Sequence, residues 1–122
     1  MNTYYYSKTI TNSDIAAFQT GIVHAVYSTF AGARDAEYVC RLHVLATKKE
    51  CDEGIGTFIN IRHHAPAHVG EIIHYTSQYI NTVRGEIHCK FEGKVNDKLI
   101  VSGTTGQRVL SKDKIKQLFN QL

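Results

Sequence analysis

The stretch GIGTFINIRHHAPAHVGE, residues Gly54–Glu71, begins as an apolar alternation and ends among histidines, with the chain's single proline between them. Successive strand residues point to opposite faces, so the run Ile55–His63 places Ile55, Thr57, Ile59, Ile61 and His63 on one side and Gly56, Phe58, Asn60 and Arg62 on the other. His63 therefore shares the apolar face with three isoleucines and points inward. Downstream, Ile72–Val83 reads as a second long strand, closed by an Arg84-Gly85 turn. Glu86–Val95 then alternates, with Ile87, Cys89, Phe91 and Val95 inward and His88, Lys90, Glu92 and Lys94 outward. Asn96-Asp97 is a two-residue hairpin signal before a strand over Leu99–Leu110. These strands follow one another as an antiparallel meander.

Upstream, Ala33, Ala36, Cys40, Val44 and Leu45 recur at helical spacing, which predicts one long helix from Thr29 to about Ala46. Small residues line its first turns, and they allow a neighbouring surface to approach closely. Tyr4–Ile10 reads as a first strand. The polar run Thr11–Asp14 reads as a turn able to cap a short helical turn through Phe18. Ser111 is placed to cap a final helix with Ile115, Leu118 and Phe119 as its apolar stripe. The order strand, long helix, then several long strands predicts an α+β domain in which one central helix packs on a curved antiparallel sheet. One helix covers little of such a sheet, so a homodimer is expected to resolve the remaining edge.

At 122 residues the chain fits a single domain, residues 1–122, with one core. A net charge of +3 writes no strong polyanion-binding field into the surface, so a nucleic-acid partner is not expected. The N-terminus MNTYYYSK has no apolar signal core and no run is long enough to cross a bilayer, so no membrane partner and a cytoplasmic location are expected. Cys40, Cys51 and Cys89 are odd in number and lack CxxC spacing, which argues against a disulfide framework or zinc ribbon. His63 and His64 point to opposite faces of a strand and cannot readily converge on one ion, so no metal or other cofactor is expected around His63, His64 and His68.

An inward histidine needs a hydrogen-bond partner, and the long helix must lie beneath its face. Thr29 and Glu37 share one broad side of that helix. Hydroxyl, carboxylate and imidazole could then meet. The pattern alone is equally compatible with Glu37 satisfying a buried His63 and Thr29 capping the helix.

The quoted segment resembles the corresponding stretch of fluoroacetyl-CoA thioesterase-like proteins, a branch of the hotdog-fold thioesterase superfamily, and the resemblance runs from about Val26 to Leu110. In that family a threonine opens the central helix, a glutamate follows two turns later and a histidine lies on the next strand. Here the matching positions are Thr29, Glu37 and His63, at intervals of 8 and 26 residues. The resemblance implies a hotdog fold, an acyl-CoA substrate of small or medium acyl length, and thioester hydrolysis by Thr29, Glu37 and His63. It places the backbone N–H of Gly56 near the thioester carbonyl. Where the family shows a proline after the threonine this chain has Phe30, and where it shows G-x-H-x-R the chain reads GTTGQR, so the arginine's place falls on Gln107 or, shifted by one, on Arg108. The rival expectation is a non-catalytic hotdog protein that holds acyl-CoA as a sensor or scaffold.

Overall fold

The structure is a computed structural model that describes residues 2–121. Its main sheet has five strands: β1 (Thr3–Thr9), β4 (Asp52–His63), β5 (Ile72–Val83), β6 (Glu86–Val95) and β7 (Lys98–Ser111). Their order is β1-β5-β6-β7-β4, all antiparallel. A two-stranded hairpin of β2 (Ile15–Phe18) and β3 (Gly21–Tyr27) stands apart from it. The long helix α1 (Thr29–Thr47) touches every strand of the main sheet, which wraps around it.

The meander β5-β6-β7 follows from its turns. Arg84 and Gly85 both adopt positive φ, 53° and 81°, and Asn96 and Asp97 do the same at 48° and 66°. A type I′ hairpin turn has positive φ at both central residues, and its twist matches that of the flanking strands. Between the turns, Cys89, Phe91 and Val95 point into the core as the alternation predicts.

Bulges bend the sheet around the helix. One extra residue interrupts β4 at Thr57, β5 at Ile80 and β7 at Ile100, each opposite an unbroken partner strand. The helix meets this concave face through Gly32, Ala36, Val39, Cys40, His43 and Val44, all buried, whereas Leu45 is exposed and Ala33 only half-buried. The apolar stripe is thus rotated from the predicted one. A Cβ at Gly32 would lie 3.4 Å from Val101 and 3.5 Å from Ile61, so the close approach expected of the first turns is made there.

The segment after β1 corrects the expectation of a helical turn through Phe18. A 3-10 turn covers only Asn12–Asp14, and the chain then enters β2. Asp14 draws the turn shut by accepting from the Thr11 backbone N–H at 2.9 Å, and it also binds Lys8 and Arg34. The carboxylate is fully buried, and its fixed position ties β1, this turn and α1 together. Burial alone would raise its pKa, but the Arg34, Thr11 and Lys8 hydrogen bonds outweigh that and hold it at about 2. The final helix α2 (Lys112–Asn120) is capped by Ser111, which accepts from the Lys114 N–H, but it buries no residue.

Candidate active site

Thr29 is the first residue of α1, and the cap before it is Ser28, whose Oγ accepts from the Ala31 N–H at 3.0 Å. The Thr29 hydroxyl is thereby spared from capping. It lies 3.0 Å from His63 Nδ1, at the end of β4. Read on sequence, the inward histidine lacked only a partner, and that partner is the threonine rather than Glu37. His63 Nε2 is buried and has no partner among the described residues.

Glu37 sits two turns along α1, over the other end of β4. Here the bulge corrects the strand reading. Gly56 pairs with Gln107 and Phe58 with Gly106, so Thr57 is the extra residue and the alternation changes phase across it. Ile59, Ile61 and His63 face the helix as expected, but on the near side of the bulge it is Gly56, not Ile55, that faces it. A Cβ on Gly56 would lie 2.6 Å from Glu37 Oε1. The carboxylate therefore rests against bare backbone, as a glycine alone allows. It makes no hydrogen bond to another described residue and is exposed to solvent.

Glu37, Tyr38, Arg41, Gly56 and Gln107 line one cleft. The sequence reading missed Tyr38 and Arg41, although Arg41 lies one turn beyond Glu37, and positions i and i+4 share a helix face. Arg41 Nη2 is ion-paired to Glu53 Oε1 at 2.6 Å, and Nη1 reaches the Gly54 carbonyl at 3.5 Å. Of the two candidates for the family's arginine position, Gln107 enters this cleft. Arg108 points to the opposite face of β7 and donates to the Arg84 carbonyl at 2.6 Å.

The structure thus brings together Thr29 with His63, and Glu37 with Gly56 and Gln107, but not these two groups with each other. Eight helical residues separate Thr29 from Glu37, roughly 12 Å along the axis at 1.5 Å per residue. The other histidines of the quoted stretch go elsewhere. His64 Nε2 pairs with Ser102 Oγ at 2.7 Å, and His68 Nδ1 lies 3.2 Å from Glu71. Phe30, where the family shows proline, is half exposed and packs its ring 5.7 Å from that of Phe18 on the β2–β3 hairpin.

Comparison with known proteins adds to this geometry. A search among curated proteins returns no match. Among solved structures, a thioesterase superfamily member from Thermus thermophilus superimposes with a TM-score of 0.94 at 27% identity, covering 98% of this chain and 89% of that one. The fluoroacetyl-CoA thioesterase FlK aligns with a TM-score of 0.89 at 14% identity, covering 98% and 93%. A mutant of FlK in complex with fluoroacetate and CoA gives 0.85 at 14% identity, covering 93% and 96%. The helix wrapped by an antiparallel sheet is the hotdog fold. Residues 10–113 match the family described as fluoroacetyl-CoA-specific thioesterase, and with most of its length matched the chain belongs to that thioesterase family.

Proposed function

We infer that the chain is an acyl-CoA thioesterase acting on small or medium acyl groups, and that it works as a homodimer in which each site is completed by both protomers. Family membership and the hotdog fold carry the hydrolase reading. The arrangement along β4 carries the dimer. β4 is an edge strand, with β7 on one side and no described strand on the other. Its helix-facing row has Gly56, beneath Glu37, near one end and His63, bonded to Thr29, at the other.

An antiparallel β4–β4 pair across a two-fold axis places residue i opposite j and j opposite i. With the axis through Asn60 and Thr57 set aside as the extra residue, Ile59 lies opposite the partner's Ile61 and Gly56 of one protomer opposite the partner's His63. The carboxylate that is about 12 Å from Thr29 along its own helix then shares a row with the partner's Thr29. One two-fold operation makes both sites whole, and it also supplies the missing neighbour of the strand edge.

The polar groups then have definite tasks. His63 Nε2 is buried without an acceptor among the described residues, so the imidazole proton belongs on Nδ1, where it is donated to Thr29 Oγ1. This fixes the hydroxyl and leaves its own hydrogen free for the partner's Glu37. The held carboxylate acts as general base on a water that attacks the thioester carbonyl, a contribution on the order of 10²- to 10⁴-fold. Electron density moves onto the carbonyl oxygen, which the Gly56 N–H stabilises. Collapse of the tetrahedral adduct breaks the C–S bond and expels CoA as thiolate, and the proton taken by Glu37 neutralises it. The products are the free acid and CoA. Thr29 and His63 are in this scheme positioning residues for the carboxylate.

The test is release of free thiol from a panel of short and medium acyl-CoAs by wild type and by Thr29→Ala, Glu37→Gln and His63→Ala. Turnover by wild type and its loss in Glu37→Gln by at least about 10²-fold in kcat is the expected result. No thiol release from any member of the panel would overturn the hydrolase reading. An acyl adduct on Glu37 or Thr29 in quenched protein would overturn the assignment of Glu37 as base.

A further inference from the structure

Within the Glu37 cleft one polar side chain has needs that no described residue meets. Gln107 is only 4% exposed, yet its amide hydrogen-bonds to no other described residue and faces the cleft. It is the register partner of Gly56 across β4 and β7. A Cβ on Gly54 would meet Val44 Cγ1 at 2.9 Å and touch Gln107 Oε1 at 3.5 Å, whereas one on Gly56 would meet Glu37 Oε1 at 2.6 Å. The amide thus lies beside Gly54 and the carboxylate over Gly56, one strand period apart. Both polar ends are open to whatever fills the cleft.

The chemistry of that occupant follows from what each group would do to it. A plain alkyl chain would cover the amide and leave its donor and acceptor unpaired in a dry site, which is unfavourable. An acyl group ending in a carboxylate would meet the negative charge of Glu37, and the guanidinium of Arg41 is already paired with Glu53. A hydroxyl suits the amide on both counts, because it accepts from the NH₂ and donates to the carbonyl oxygen. The amide beside Gly54 is one strand period, about 6.5 Å, from a thioester carbonyl seated over Gly56. A hydroxyl on the first or second carbon beyond that carbonyl, together with one hydrogen bond of about 2.8 Å, covers that distance.

We propose that Gln107 selects acyl groups bearing a hydroxyl on the first or second carbon beyond the thioester carbonyl, so that 2- or 3-hydroxyacyl-CoAs are the preferred substrate class. The proposal rests on the thioesterase reading, and its test separates the two. Matched pairs are compared for kcat/KM: 3-hydroxybutyryl-CoA against butyryl-CoA, and lactoyl-CoA against propionyl-CoA. Wild type is expected to favour the hydroxylated member of one pair by at least about tenfold, because a site built to hydrogen-bond a substrate group discriminates against the analogue lacking it. Gln107→Met, of similar length and without the amide, should bring that ratio close to one, and Gln107→Leu provides a second variant should the first fold poorly. Hydrolysis of both members of each pair at similar kcat/KM by wild type would overturn the proposal and leave the thioesterase reading standing. So would a preference that survives unchanged in the folded variants. Failure to hydrolyse either pair or any other acyl-CoA overturns both.

Discussion

Replacing Gly56 with alanine tests whether the site depends on where the Glu37 carboxylate rests. The new Cβ would lie 2.6 Å from Glu37 Oε1, and ordinary contact begins at 3.4 Å, so the carboxylate must withdraw by about 0.8 Å. No other described residue holds it, and the long side chain swings aside at little cost. Gly56 does not have positive φ, so alanine fits its backbone. The thermal midpoint should stay within about 4 °C of wild type, corresponding to ~1 kcal/mol or less. Catalysis is far less tolerant: misplacing a catalytic group by about 1 Å can cost on the order of 10²-fold. The expected result is a fall in kcat of roughly 30- to 100-fold with the fold intact. The loss is read as free CoA in a steady-state thiol assay, alongside a thermal melt of the same protein. A folded Gly56→Ala variant with kcat within about threefold of wild type would refute the argument that Glu37, seated on the glycine, is the reacting carboxylate.

Three further outcomes follow from the same geometry. Mixing inactive Glu37→Gln and His63→Ala proteins under conditions that exchange subunits should restore about a quarter of wild-type activity, since half of the dimers are mixed and each carries one intact site; if all the groups came from one chain, mixing would restore nothing. The Asp14 carboxyl is held at about 2 when folded, below its ordinary value of 3.8, so it contributes stability that is present above about pH 4 and is lost as pH falls towards 2. That contribution is about 1–2 kcal/mol after allowing for the half-exposed Arg34 partner, and Asp14→Asn should remove it and flatten that part of a urea-unfolding profile against pH. Native protein should react with a thiol reagent at Cys51 alone, because Cys40 and Cys89 are buried and the Cys89 thiol beside Cys40, with burial, pushes the Cys40 thiol up, whereas all three should react in denaturant.

Much of the architecture was legible wherever one local signal agreed with the strand or helix period. The bounds of β5 and β6 match the sequence reading because Arg84-Gly85 and Asn96-Asp97 each demand a turn that L-residues rarely enter elsewhere. The start of α1 was placed at Thr29, and the residue ahead of it proves to be the cap. The β2–β3 hairpin was not foreseen. Ile22 and Val23 on β3 are both exposed, 65% and 56%, so burial imposes no alternation there for a sequence pattern to record. Bulges escaped for a related reason. A strict period of two assigns each residue a face by counting, and one inserted residue at Thr57 reverses the count for everything on its far side. The pair Gly54 and Gly56 was the available clue, since two glycines at strand spacing mark a place where something packs directly on backbone.

The candidate site shows the same division more sharply. Identities and spacing singled out Thr29, Glu37 and His63, but spacing along a helix does not say which of two residues reaches a given strand position. Thr29 reaches His63 in the chain itself, and Glu37 reaches Gly56. The stretch Gly54–Ile61 of the edge strand between them carries no charge and no proline, and Phe58 is 41% exposed. Apart from the bulge at Thr57, such an edge lacks the charges and prolines that keep strands from pairing with another chain. In the proposed dimer, catalysis and edge protection make one demand of the same segment: a second copy, run antiparallel, whose ends bring the carboxylate of one protomer to the hydroxyl of the other. On that proposal a substitution that blunts this edge should be felt first in turnover, because a separated protomer would keep its helix-on-sheet core and have only half of each site.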